Sequence, residues 1–175
     1  MKTLSVIPHE GIGSLKLGMS PEQILTALAE LYAEFSIGNS GNIKIAQEKE
    51  EDGFTLRYFN NCVFFMVRYQ GERAVEIGVD YEIQKYAEVT LYDKSVFTTL
   101  AEEMVAFLKQ YSSCVYEWDD EDLSTNYEFP AIGVRLWRED AFHPKLLLDK
   151  KYMEEMKLVI DDMYHYLYFE IVAVL

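Results

Sequence analysis

Cysteine is scarce: the 175 residues contain two, Cys62 and Cys114. They lie far apart, form no CxxC pair and each sits in an apolar, strand-like run. That argues against a disulfide framework and for buried free thiols in a reducing compartment. Histidine is almost as sparse. His9, His143 and His165 have no neighbour at metal-ligand spacing, and no H-E-x-x-H pattern occurs, so neither a zinc cluster nor a nucleophile–base pair can be nominated locally. Basic residues are few, 16 Lys and Arg against 30 Asp and Glu, giving a formal net charge of −14. A field of that sign repels phosphate backbones and anionic membrane surfaces, which argues against nucleic acid and membrane and leaves the ordinary acidic surface of a soluble bacterial protein ahead of one adapted to a basic partner. No uncharged apolar run approaches 18 residues, so no membrane span is expected. The opening MKTLSVIPHEG is too short in its apolar part for a signal-peptide core, and a cytoplasmic location is the expectation.

Phosphate-binding and calcium-binding loops are missing too. Gly11, Gly13 and Gly18 fit neither the dinucleotide nor the P-loop spacing, and no Lys-Ser or Lys-Thr pair follows, so they read as turn and packing glycines. The acidic run Glu117, Asp119, Asp120, Glu121 and Asp122 suggests calcium, with Asp120, Asp122, Ser124 and Asn126 at alternate positions. An EF-hand would need Gly at Thr125 and Glu at Ala131, and helices where strands are read. No metal or cofactor is expected. The run reads as a solvated strand connection or as a partner-facing patch.

What is present specifies architecture. In residues 11–25, GIGSLKLGMSPEQIL, Ser20 is an N-cap, Pro21 stands at the first helical position, Gln23 completes a capping box and Met19 staples to Ile24, predicting a helix to about Leu31. The cluster SIGNSGN at 36–42 reverses the chain, and Ile43–Ala46 is a short strand. After the charged turn EKEEDG come strands at Phe54–Phe59, Cys62–Tyr69 and Ala74–Ile83. In the last of these Glu76, Gly78 and Asp80 share a face expected to be wet. The middle strand is apolar on both faces until Arg68, which marks where its second face opens to water or to a partner.

The pattern then restarts: a strand at Val89–Tyr92, a helix capped by Ser95 and running to about Tyr111, and strands at 114–118, 125–129 and 132–138. SLKLGMSPEQILTALAEL and EVTLYDKSVFTTLAEEM share strand, Ser cap and amphipathic helix, which is compatible with pseudo-repeat halves 1–86 and 87–175. A helix over Lys151–Met163 and a final strand over Tyr164–Val174 complete the reading. The expected fold is α+β, a mostly antiparallel sheet of about six to eight strands with two or three helices packed on it, in a single domain spanning 1–175. Its expected core comprises Leu17, Ile24, Leu28, Phe65, Val67, Ile77, Leu100, Met104, Leu108, Val134 and Phe169. In FPAIGVRLWRE, Arg135 and Trp137 share a strand face beside Arg138, which makes Trp137 a candidate interface anchor, although burial statistics weigh somewhat more toward its being covered by a helix or the C-terminal segment.

GIGSLKLGMSPEQIL and YEFPAIGVRLWRE resemble motifs of an uncharacterised family of small bacterial cytoplasmic proteins, some associated with immunity roles in toxin systems. The strand-G-M-S-x-E-helix opening is also similar to the repeat unit of β-lactamase-inhibitor-like domains, in which a helical element precedes a partner-binding antiparallel sheet. Those domains are secreted or lipid-anchored, so that likeness bears on fold alone. The resemblance implies a non-enzymatic binding protein, most concretely an immunity-type inhibitor of a basic toxin. Asp119, Asp120, Glu121, Asp122, Arg135 and Trp137 are the candidate partner-binding residues. The alternative is a small-molecule-binding or enzymatic domain whose site is assembled from dispersed residues.

Overall fold

The computed structural model describes residues 2–38 and 42–175. Strand β1 (Lys2–Ile7) turns back through the two-residue strands β2 (Gly11–Ile12) and β3 (Leu15–Lys16). Glycine is required at position 11, where a Cβ would run into the Leu15 carbonyl. Helix α1 (Pro21–Phe35) begins as expected: Ser20 Oγ accepts the Gln23 N–H, and Gln23 Oε1 accepts the Ser20 N–H. It runs one turn past Leu31 because Tyr32 and Phe35 extend the buried stripe of Ile24, Ala27, Leu28 and Leu31. The turn expected over 36–42 lies partly outside the described residues.

Four antiparallel strands follow, β4 (Lys44–Glu50), β5 (Gly53–Asn60), β6 (Val63–Gln70) and β7 (Arg73–Asp80), joined by two-residue turns. Most of the expected charged turn EKEEDG is therefore strand. Cross-strand pairing holds its side chains in the ladder, with Glu48 3.1 Å from Arg57. Cys62 sits in the β5–β6 turn and is exposed while Cys114 is half-buried, so the expectation of two buried thiols fails.

Strand β8 (Ala87–Leu91) runs parallel to β1, and β9 (Lys94–Ser95) folds back on it. Ser95 thus lies in a strand and caps nothing. The Val96 N–H continues the ladder to Val89, and helix α2 (Ala101–Leu108) starts only after Val96 and Phe97 have entered the core. After β10 (Val115–Tyr116), β11 (Asn126–Phe129) and β12 (Val134–Trp137), the helix expected over 151–163 is broken into α3 (Lys150–Met156) and α4 (Ile160–Met163). The expected strand 164–174 shrinks to β13 (Ile171–Val174), and Tyr166 lies in a 3-10 turn, Tyr164–Leu167. Its neighbours β12 and β7 pair with residues 171–174 alone, and the Tyr166 carbonyl accepts from Arg138 instead.

The fold is α+β with two sheets. One has five strands in the order β3-β2-β1-β8-β9. The other has eight, β10-β11-β12-β13-β7-β6-β5-β4, and is antiparallel throughout. Its order is symmetric about the β13–β7 pair, with β4–β7 on one side and β10–β13 on the other. One face of the large sheet, including Phe65, Val67, Ile77, Val134 and Val172, packs with α1, α2 and the small sheet into a single cluster. The expected core residues lie in it fully buried, except Leu17, which is half-buried, and Leu100, which packs against a second, smaller cluster around Phe142.

Leu28 is fully buried in the main cluster, and Leu28→Ala is expected to lower the unfolding free energy by about 2–5 kcal/mol in urea denaturation. Asp80 is buried and accepts the Phe64 N–H at 3.0 Å, and burial pushes its carboxyl up to about 6. The folded chain therefore holds this proton more tightly than the unfolded chain. Its stabilising effect is complete below pH ~4 and disappears by about pH 6, a difference of roughly 3 kcal/mol. Asp80→Asn keeps an oxygen for Phe64, and the stability difference between variant and wild type should grow in the variant's favour from pH 4 to 7. Parallel pH curves would show that Asp80 is not perturbed.

Candidate functional site

The second face of the eight-stranded sheet does not join the core, and its apolar members Phe64, Met66, Trp137 and Ile171 remain half-exposed. Register lines up one row across five strands: Met66 opposite Gly78, Gly78 opposite Ala173, Ala173 opposite Arg135, and Arg135 opposite Glu128. The two smallest side chains, Gly78 and Ala173, stand mid-row and are buried, while Met66 and Arg135 on either side of them remain half-exposed. A groove results. One end, about 630 Å³, is lined by Glu48, Glu50, Arg68, Glu76 and Glu128, and the other, about 650 Å³, by Phe64, Glu117, Trp137, Glu139 and Ile171. Arg57, Met66 and Arg135 line both ends.

Glu76 anchors this surface. It is 3% exposed and accepts from Arg68 Nε at 3.4 Å and from Arg135 Nη2, which reaches it from the far side of the β7–β13 seam. Arg135 also lies 3.8 Å from Glu128. Burial first and the Arg68 guanidinium second pull the Arg135 pKa below its ordinary value, while an arginine in a protein stays charged. The wet face expected for β7 is thus corrected: Glu76, Gly78 and Asp80 are all buried, Glu76 in contact with two guanidiniums. Arg68 lies where its interruption of the apolar run suggested, on the opened face.

The six candidate residues separate in space. Arg135 and Trp137 stand together in the groove, while Asp119, Asp120, Glu121 and Asp122 do not line it. Lys145 Nζ lies 2.9 Å from Asp120 and 3.0 Å from Asp122, Asp122 is 3.7 Å from His143, and Glu121 pairs with Lys109. Asp120 also accepts the Asp122 N–H, capping the 3-10 turn Glu121–Leu123. The hydrogen bond to Lys145 lowers the Asp120 pKa and raises that of Lys145. Much of the run is therefore spent on the protein's own lysines, and Glu117 is its one member in the groove. Among the described residues, no group of three or more His, Cys, Asp or Glu could hold a metal ion, and no helix is long and apolar enough to cross a membrane.

No family model, curated protein or solved structure matches the chain. Geometry alone therefore distinguishes surface from scaffold here, and Arg138 shows how. Adjacent to Trp137 in sequence, it points to the opposite side and is 1% exposed. Its guanidinium donates to the carbonyls of Asp122, Ser124, Phe142 and Tyr166 and to the Tyr127 hydroxyl, at 2.8–3.2 Å, and stacks near the Tyr127 and Phe169 rings. It binds the acidic turn, the residues after β12 and the approach to β13 into one body. Arg138→Met would strip these carbonyls of their donor in a buried setting, and we expect a loss of about 3 kcal/mol or more in urea denaturation.

Proposed function

We propose that the chain is a non-catalytic binding protein whose groove docks a basic protein, most concretely an immunity-type inhibitor that occupies the active cleft of a cognate toxin. One observation carries the reading: Trp137 stands half-exposed in the groove beside Arg135, inside a rim richer in glutamate than in arginine. Trp and Arg are the residue types in which binding energy concentrates, and an indole face attracts a partner's lysine or arginine. Arg135 is already held by Glu76, so docking need not order a long free side chain, which lowers the entropy lost on association. Across eight strands the face spans roughly 35 Å, wide enough for a protein interface of ordinary size.

In this reading the acidic run acts at a distance. Its charge, within a net −14, steers a cationic partner but makes few contacts in the final complex. The partner is to be captured from native cell extract and its binding kinetics measured at two salt concentrations. Trp137→Ala should speed dissociation by about 30-fold, the equivalent of roughly 2 kcal/mol. Neutralising Asp119, Asp120, Glu121 and Asp122 together should slow association and flatten its salt dependence, with dissociation changed less than about twofold. Failure to capture any protein, or a small molecule co-purifying away from the groove, would shift the reading to ligand binding.

A further inference from the structure

The eight-stranded sheet ends in two unequal edges. Strand β10 is two residues long, whereas β4 runs for seven, all exposed, and among the described residues its only strand neighbour is β5. Two hairpins fix which backbone groups of β4 are free. Glu50 and Gly53 close β4–β5 over a two-residue turn, and Asn60 and Val63 close β5–β6 in the same way. Hydrogen-bonded positions alternate along an antiparallel ladder, and a two-residue turn closes on a bonded pair. Both closures therefore agree that Lys44, Ala46, Glu48 and Glu50 bond to β5, while Ile45, Gln47 and Lys49 turn their N–H and C=O groups outward.

We propose that this edge pairs with β4 of a second copy, antiparallel, about a two-fold axis at Gln47. That register satisfies the free backbone groups and uses the whole strand. It places Gln47 opposite Gln47 and Ile45 opposite Lys49 as bonded pairs, with Ala46 opposite Glu48 and Lys44 opposite Glu50 between them. Opposite charges meet twice, once on each side of the axis, at the closer, non-bonded spacing. Sliding the axis to Glu48 would set Glu48 against Glu48, and sliding it to Ala46 would leave Glu50 without a charged counterpart. An axis at Ala46 would also set Lys44 opposite Glu48, but over five residues, so the Gln47 register is the complementary one that uses all seven residues of the strand. Ile45, 48% exposed, would be covered by the Lys49 stem. Lys44 and Glu50 share the groove side of the strand with Glu48, so pairing would set two grooves side by side on one continuous sheet.

Sedimentation velocity of the full chain tests this, over a concentration range reaching about 200 µM because a dimer's population depends on protomer concentration. The wild type should dimerise reversibly. Lys44→Glu and Glu50→Lys should each weaken the dimer about tenfold or more, whereas an equimolar mixture of the two variants, and the double swap K44E/E50K, should restore it. Gln47→Pro removes an outward N–H at an edge position that tolerates proline, so it should abolish the dimer with the circular dichroism spectrum unchanged. A wild type that stays monomeric across the range overturns the proposal. So does a dimer indifferent to these substitutions, or a mixture of the charge variants that fails to associate.

Discussion

A single carboxylate, that of Glu76, ties side chains from the two halves of the large sheet together on its open side. Strands β4–β7 and β10–β13 meet only at the β7–β13 pair within this sheet, where on the open side Gly78 stands opposite Ala173 and Asp80 opposite Ile171. Arg135 crosses this seam to reach Glu76, where Arg68 also converges. Removing the carboxylate would leave two partly buried guanidiniums facing each other, so the triad is obligatory once either arginine is present. Arg57, Met66 and Arg135 line both ends of the groove on this face, with glutamates around one end and Phe64, Trp137 and Ile171 at the other.

Residues that obey local rules were legible in the sequence. The capping box at Ser20, the meander from Phe54 to Asp80 and the alternation in Val134–Trp137 follow from short-range chemistry, and the structure has each of them. Departures arose where a distant partner overrides a local preference. Ser95 has the chemistry of a cap, yet the Val96–Val89 ladder bond keeps it in a strand. Tyr164–Leu167 has the composition of a strand, yet Arg138 takes the Tyr166 carbonyl. Glu76 alternates like a solvent-facing residue, and nothing near it in sequence announces that Arg135, 59 positions away, covers it.

The candidate site divided along the same line. Arg135 and Trp137 come to the groove because strand alternation is local and reliable. The acidic run is conspicuous as a sequence, but Lys145 and Lys109 reach it from other elements and spend much of its charge on the fold. In the proposed reading, recognition would be shared between a groove with an aromatic anchor, a rim of glutamates contributed by several strands and a diffuse negative field.

Hydroxyl-radical footprinting read by mass spectrometry, with and without the captured partner, tests that central claim most directly, because the chain has two tryptophans and they report on the two surfaces. Trp137 lies in the groove, and Trp118, 71% exposed, lies within the acidic run, between Glu117 and Asp119. Docking in the groove predicts that Trp137 and Met66 are oxidised less in the complex while Trp118 reacts as before. Protection of Trp118 with Trp137 and Met66 unchanged would contradict it.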